Sequence, residues 1–129
     1  MQGLINDFLA QKRFAVVGSF KDDSKFAYKI VKMLIKKGYE VFPVNPSLSE
    51  VEGRTCYKSI DDISHSVDVV SVVTPPSVTE KILKQCLRKG IKKVWLQPGT
   101  ESFAVFKFFR DNGIQTLHNI CLIEESFNK

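Results

Sequence analysis

Hydrophobic positions in this chain alternate between short unbroken runs and helical spacing. Phe14-Ala15-Val16-Val17 is an apolar run that ends at Gly18, the pattern of a strand buried on both faces of a parallel sheet. From Phe26 to Lys37, apolar residues at Phe26, Ala27, Ile30, Val31 and Leu34 recur as on one face of a helix. Gly38 follows two lysines, a favourable carboxyl-terminal arrangement. Val41-Phe42-Pro43-Val44 reads as a second strand in which Pro43 removes one backbone donor. Val67 to Val73 is a third, rich in β-branched residues, and Ser77-Val78-Thr79-Glu80 is a capping-box pattern that opens a helix through Arg88, stopped at Gly90. Val94-Trp95-Leu96 is a fourth strand. A helix from about Ser102 to Asp111 ends at Asn112-Gly113, and Ile114 to His118 is a short fifth strand. Leu4 to Lys12 suggests an extra helix before the first strand, Ser59 to Asp62 a short helix start, and Pro46 to Gly53 a surface loop.

Helix-ending glycines that each precede a strand are the punctuation of successive parallel βα units. The expected fold class is therefore α/β, a Rossmann-like doubly wound sheet of about five parallel strands in the order 3-2-1-4-5, with helices on both faces and residues 1–129 as one domain. Such sheets bind ligands beyond the carboxyl ends of their strands. That rule selects the loops after Val17, Val44, Val73 and Leu96.

Composition narrows the class. Hydrophobic residues make up 43% of the chain, enough for a real core, yet no apolar run approaches the ~20 residues that cross a bilayer. The amino terminus carries Asn6 and Asp7 within its apolar stretch and lacks the basic start of a signal peptide. A cytoplasmic protein without membrane contact is expected. Cys56, Cys86 and Cys121 are odd in number and widely spaced, and His65 and His118 are the only histidines, so neither disulfides nor a metal centre is expected. The net charge is +5, and six lysines lie between Lys21 and Lys37. Lys29, Lys32 and Lys36 fall on one helix face, which reads as a solvated face or as a field that draws in an anion. Nucleic acid is not an expected partner, because there is neither a long basic run nor an aromatic-basic pattern.

The loops carry the candidate chemistry. The first runs Gly18-Ser19-Phe20-Lys21-Asp22-Asp23-Ser24-Lys25. Gly18 allows close backbone approach to a phosphate, the helix that follows presents free N–H groups and a positive dipole end, Ser24 can cap that helix or donate to phosphate, and Lys25 supplies charge. Neither GxGxxG nor GxxxxGK[ST] is present. The second strand ends in Val44-Asn45-Pro46, where a NAD enzyme places an acid for the ribose diol. Thr74-Pro75-Pro76 is a rigid turn that serves equally as a helix entry or as a wall against a flat ring. Gln97-Pro98-Gly99-Thr100 pairs a donor and acceptor side chain with a close-approach glycine, or is simply a turn. Cys121 reads as a buried small hydrophobe, with a reactive thiol as the alternative. Trp95 is most simply core. No nucleophile–base pair is spaced for catalysis, so no catalytic residue is assigned.

Taken in order, Ala15-Val16-Val17-Gly18, Gly38-Tyr39-Glu40-Val41-Phe42-Pro43-Val44-Asn45-Pro46, Val94-Trp95-Leu96-Gln97 and Cys121-Leu122 resemble the small stand-alone coenzyme A-binding proteins. Their fold is that of the amino-terminal domain of the succinyl-coenzyme A synthetase α subunit, and the likeness runs from about Phe14 to Glu124. The resemblance implies a non-catalytic module for coenzyme A or an acyl-coenzyme A. It implies that Gly18, Ser19 and Lys25 line a phosphate site, with Phe20 and Ser24 in the same loop. Asn45, Pro46, Val73, Thr74, Pro75 and Pro76 would line the nucleotide cleft, and Gln97 and Gly99 would close it. The family often carries Ser where Phe20 stands, and an arginine-rich turn where Thr74-Pro75 stands. The phosphorylated histidine of the synthetase has no counterpart in these residues, so the resemblance implies binding rather than ligation. A NAD(P)-binding oxidoreductase-like domain is the alternative. So is a regulatory subunit of a coenzyme A-dependent enzyme, and a homodimer or docking on a partner enzyme both stay open.

Overall fold

A computed structural model describes residues 2–98, 100, 102–118 and 122. Five strands, β1 (Arg13–Val17), β2 (Glu40–Val44), β5 (Val69–Val72), β6 (Lys93–Leu96) and β7 (Gln115–Leu117), form one parallel sheet. Between β2 and β5 the chain makes a small antiparallel hairpin, β3 (Glu50–Val51) and β4 (Arg54–Thr55), and a 3₁₀ turn at Ile60–Asp62. The helices are α1 (Gln2–Leu9), α2 (Phe26–Lys36), α3 (Pro76–Lys89) and α4 (Phe103–Asn112).

The alternation of strand side chains sorts the core into two layers. Phe14, Val16, Val69, Trp95 and Leu117 pack with Ile5 and Phe8 of α1 and Ile30, Val31 and Leu34 of α2. Ala15, Val17, Val70, Val72, Val94 and Leu96 face the other way, onto Ile82 and Leu83 of α3 and Val105 and Phe109 of α4. Helices therefore cover both faces, as the doubly wound class requires. The helix stops fall where glycine can adopt a left-handed backbone: Gly90 at φ 76° and Gly113 at φ 66° cap α3 and α4.

The sheet order is β2-β1-β5-β6-β7, which in chain order is 2-1-3-4-5. An order of 3-2-1-4-5 sets the third strand outside the second; the structure instead seats it beside β1 and leaves β2 at the edge. Pro43 supplies the reason. The Tyr57 amide donates to the Pro43 carbonyl at 2.9 Å from the outer side of β2. A residue's N–H and C=O point the same way in a strand, so the missing donor of Pro43 also faces outward. In an interior strand that gap would cost a ladder bond. The fully buried β5 takes the central place instead.

Two local expectations shift. The segment Pro46–Gly53 is not loop throughout: its end forms β3 and a turn in which Glu52 (φ 49°) and Gly53 (φ 74°) are both left-handed, as a tight two-residue hairpin demands. And α3 opens at Pro76, with Pro75 in the cap position and no side-chain cap bond. The capping box at Ser77 does not form, because proline at the first helical position needs no donor and is preset to the helical φ. Ser102, by contrast, caps α4 by accepting from the Val105 amide at 3.2 Å.

Candidate functional site

The direction of winding reverses between β1 and β5, and the loops leaving these strands part to opposite faces of the sheet there. Gly18 stands at that point. The Val73 amide donates to the Val17 carbonyl at 2.8 Å, and a Cβ on Gly18 would lie 2.7 Å from Ala27 Cβ and 2.9 Å from the Val73 carbonyl oxygen. The missing side chain lets α2 and the end of β5 close on the β1 loop.

Beside it, Ser19, Lys21, Asn45, Ser47 and Leu48 line a cleft of about 260 Å³ between the β1 and β2 loops. Asn45 ties the two loops together: its Nδ2 donates to the Gly18 carbonyl at 2.8 Å and its Oδ1 accepts from the Ser47 amide at 2.8 Å. Pro46 is exposed next to it. None of the ion pairs among the described residues involves Lys21, which is exposed. A larger cleft of about 310 Å³, lined by Tyr39, Glu40, Val41, Arg54 and their neighbours, runs along the outer edge of β2 toward its amino end, away from these loops.

The rest of the first loop divides by role. Phe20 points into the core layer of Phe14, Val16 and Ala27 and is buried, so its place is packing. Ser24 neither caps α2 nor stands free: its hydroxyl donates to the Asp22 carboxylate, and its amide donates to the same oxygen at 2.9 Å. Those bonds, the hydroxyl's first, hold the Asp22 carboxyl below its usual range. Lys25 occupies the cap position of α2 with an extended backbone and no side-chain cap bond. The cap residue of α2 thus makes no side-chain bond to the helix's first amides, and Lys25 is exposed there.

The third loop is stiffened from below. The Thr79 hydroxyl is buried, 2.8 Å from that of Thr74 and 3.1 Å from the Pro75 carbonyl oxygen. Pro75 is exposed, while Thr74, Pro76 and Val73 are half-buried at the carboxyl end of β5. Gln97 is drawn inward instead. Its side chain is fully buried, with Oε1 accepting from the Leu122 amide at 3.2 Å and Nε2 directed at the Ser71 hydroxyl at 3.5 Å. Both ends of its amide are taken by the fold. Gly99 and Cys121 lie outside the described residues. Trp95 is fully buried against Phe8, with ring centroids 6.0 Å apart. Burial pushes the Cys86 thiol up to about 12.

The structure thus brings Ser19 and Asn45 together and adds Lys21, Ser47 and Leu48, which the sequence reading passed over. Lys21 stood in the first loop in plain view, but with Lys25 nearer the helix start nothing local ranked it higher. Ser47 and Leu48 follow Asn45-Pro46, and the tight turn that Asn favours there was the signal for Ser47. Chemically, the cleft offers hydroxyls, a lysine and a neighbouring uncapped helix start, the requirements of a phosphate-bearing ligand. Among the described residues no group of His, Cys, Asp and Glu could hold a metal ion, and no helix is long and apolar enough to cross a membrane.

Residues 12–126 match the family described as "CoA binding domain". Among curated proteins, the chain is 36% identical over 81 residues to an ADP-forming acetate–CoA ligase of Methanocaldococcus jannaschii, covering 63% of this chain and 12% of the ligase. It is 34% identical over 92 residues to the α subunit of ADP-forming acetate–CoA ligase II of Pyrococcus furiosus, covering 70% of this chain and 20% of that subunit. It therefore spans only a fifth or less of either relative's length. Among solved structures, it is similar to a hypothetical protein of Pyrococcus horikoshii with a TM-score of 0.94 and 32% identity, over 99% of this chain and 91% of that one.

Proposed function

The chain belongs to the CoA-binding domain family, and from that premise we propose that it binds coenzyme A or an acyl-coenzyme A in the cleft between the β1 and β2 loops. The observation that carries this reading is the convergence of Ser19, Lys21 and Ser47 on one cleft beside the uncapped start of α2. A pyrophosphate seated there takes the Lys21 ammonium and the free N–H groups of α2 together, with Lys25 as a second cation. Val73, Thr74 and the two prolines flank the same end of the sheet and offer an apolar surface to the base. NAD(P) fits less well. The position that would hold a ribose diol carries the neutral Asn45 in place of an acid, and its side chain is bonded to the Gly18 carbonyl and the Ser47 amide. The ligases to which the chain is similar are several times longer. We assign this chain the binding of the ligand, and docking on a catalytic partner enzyme fits its likeness to one part of those ligases.

Three single substitutions test the cleft. Lys21→Ala should weaken coenzyme A by about 1.5–3 kcal/mol, the scale of a hydrogen bond to a charged group. Lys25→Ala should weaken it as well, though less. Lys36→Ala, at the far end of α2 and about 16 Å of helical rise from Lys25, lies beyond the screening length of about 8–10 Å at moderate salt and should change little. Calorimetric titration reads all three. Equal losses at Lys21 and Lys36 would mean that the lysines act only as a diffuse field, and no loss at Lys21 would place the ligand elsewhere. Folding should shift by less than about 0.5 kcal/mol in each, since all three side chains are exposed.

A further inference from the structure

Building on the binding site just described, we propose that Asn45 is a positioning residue: it sets the spacing of the two loops that line the cleft and does not itself contact the ligand. Its Nδ2 donates to the carbonyl of Gly18, the residue before Ser19, and its Oδ1 accepts from the amide of Ser47. Ser19 and Ser47 both line the cleft, one from the β1 loop and one from the β2 loop. One side chain therefore pins both loops, and each polar atom of its amide already has a protein partner at 2.8 Å. The backbone of Asn45 is held as well, by donation of its amide to the Tyr57 carbonyl at 2.8 Å, so the brace stands on a fixed base at the end of β2.

The task needs this amide. A donor and an acceptor must sit at the end of a short side chain, facing a carbonyl on one side and an N–H on the other. Aspartate supplies two acceptors and would set an oxygen against the Gly18 carbonyl oxygen. Glutamine adds a rotatable bond and a methylene. The same requirement explains why a neutral residue stands where a ribose-binding acid stands in NAD enzymes. Here the position is committed to holding the loops, and recognition passes to Ser19, Lys21 and Ser47.

The test compares ligand-free and ligand-bound protein. In Asn45→Ala, amide hydrogen exchange at Ser47 in the ligand-free protein should accelerate clearly, and coenzyme A should bind roughly tenfold more weakly, the scale of an ordinary hydrogen bond lost. Asn45→Asp is the second variant. It keeps the acceptor for the Ser47 amide, so exchange at Ser47 should stay slow, while the Ser19 amide resonance of the ligand-free protein should shift at neutral pH and return toward its native position as the carboxyl is protonated and regains a donor. Weakened binding by Asn45→Ala with native Ser47 exchange would make Asn45 a direct ligand contact and refute the brace. Native affinity with native exchange would refute it too. If the unmodified protein failed to bind coenzyme A, the proposed function would fall, but the exchange and resonance measurements on the ligand-free chain would still decide the brace.

Discussion

Gly18→Ala should lower the stability of the fold by about 2–3 kcal/mol, the upper part of the range for overpacking a close-packed site. The new methyl would meet Ala27 Cβ at 2.7 Å, the Val73 carbonyl oxygen at 2.9 Å and Val73 Cβ at 3.2 Å. None of these is the far end of a flexible side chain. Ala27 is fixed on α2, and the Val73 backbone is tied to β1 through its amide bond to the Val17 carbonyl. Relief must come from moving α2 off the sheet or parting the β1 and β5 loops. Either movement also spreads the cleft, so ligand affinity should fall with stability. Gly18 is not among the residues with positive φ, so the cost is steric and not conformational. Gly38 is the contrasting control. At φ 91° with open space around its Cβ position, Gly38→Ala strains the backbone without touching the cleft. Urea denaturation with fluorescence detection reads both. A Gly18→Ala midpoint within about 0.5 kcal/mol of the native protein would show that the contact at the β1 turn is softer than it looks.

Trp95→Ala should cost about 3–5 kcal/mol, the range for truncating a large buried aromatic side chain. Trp95 is the largest fully buried side chain among the described residues, and Phe8 of α1 meets its ring edge-on at 6.0 Å. With total stabilities of about 5–15 kcal/mol for ordinary domains, such a loss would leave a substantial unfolded fraction at 37 °C. It should also be uneven. α1 has eight residues, too few to hold together in water without tertiary contact, and Phe8 packs it on Trp95. Hydrogen exchange should show α1 losing protection before the sheet does. A loss below about 1.5 kcal/mol, or uniform loss of protection, would mean that Trp95 does not hold α1.

Most of the architecture was legible because burial leaves a period. Unbroken apolar runs became parallel strands, the spacing of Ile30, Val31 and Leu34 became the inner face of α2, and Gly38, Gly90 and Gly113 fell at helix ends. Strand order carries no such period. Its one clue was Pro43, whose missing donor is harmless only at an edge. The hairpin of β3 and β4 escaped because strands of two residues show no alternation.

The candidate cleft was legible in part, and the division follows from what decides it. Backbone and turn chemistry single out Gly18 and Asn45, and both stand where the β1 and β2 loops meet. The same chemistry does not place Phe20 and Gln97, because only the tertiary fold turns one into the core and spends the other's amide on Ser71 and Leu122. Lys21 and Lys25 look alike in one dimension. The cleft separates them by placing Lys21 in its wall and Lys25 at the start of α2.

The claim that this chain is a coenzyme A-binding module is tested most directly by calorimetric titration of the purified protein with coenzyme A and, in parallel, with NADP. The two ligands share an adenine nucleotide and a pyrophosphate, so a difference between them reports on the site and not on charge alone. Coenzyme A should bind at one site per chain. At a hundredfold excess over its Kd it should stabilise the fold by about 2.7 kcal/mol through mass action, while NADP binds distinctly more weakly. Tighter binding of NADP, or no heat and no stabilisation with coenzyme A, would contradict the assignment.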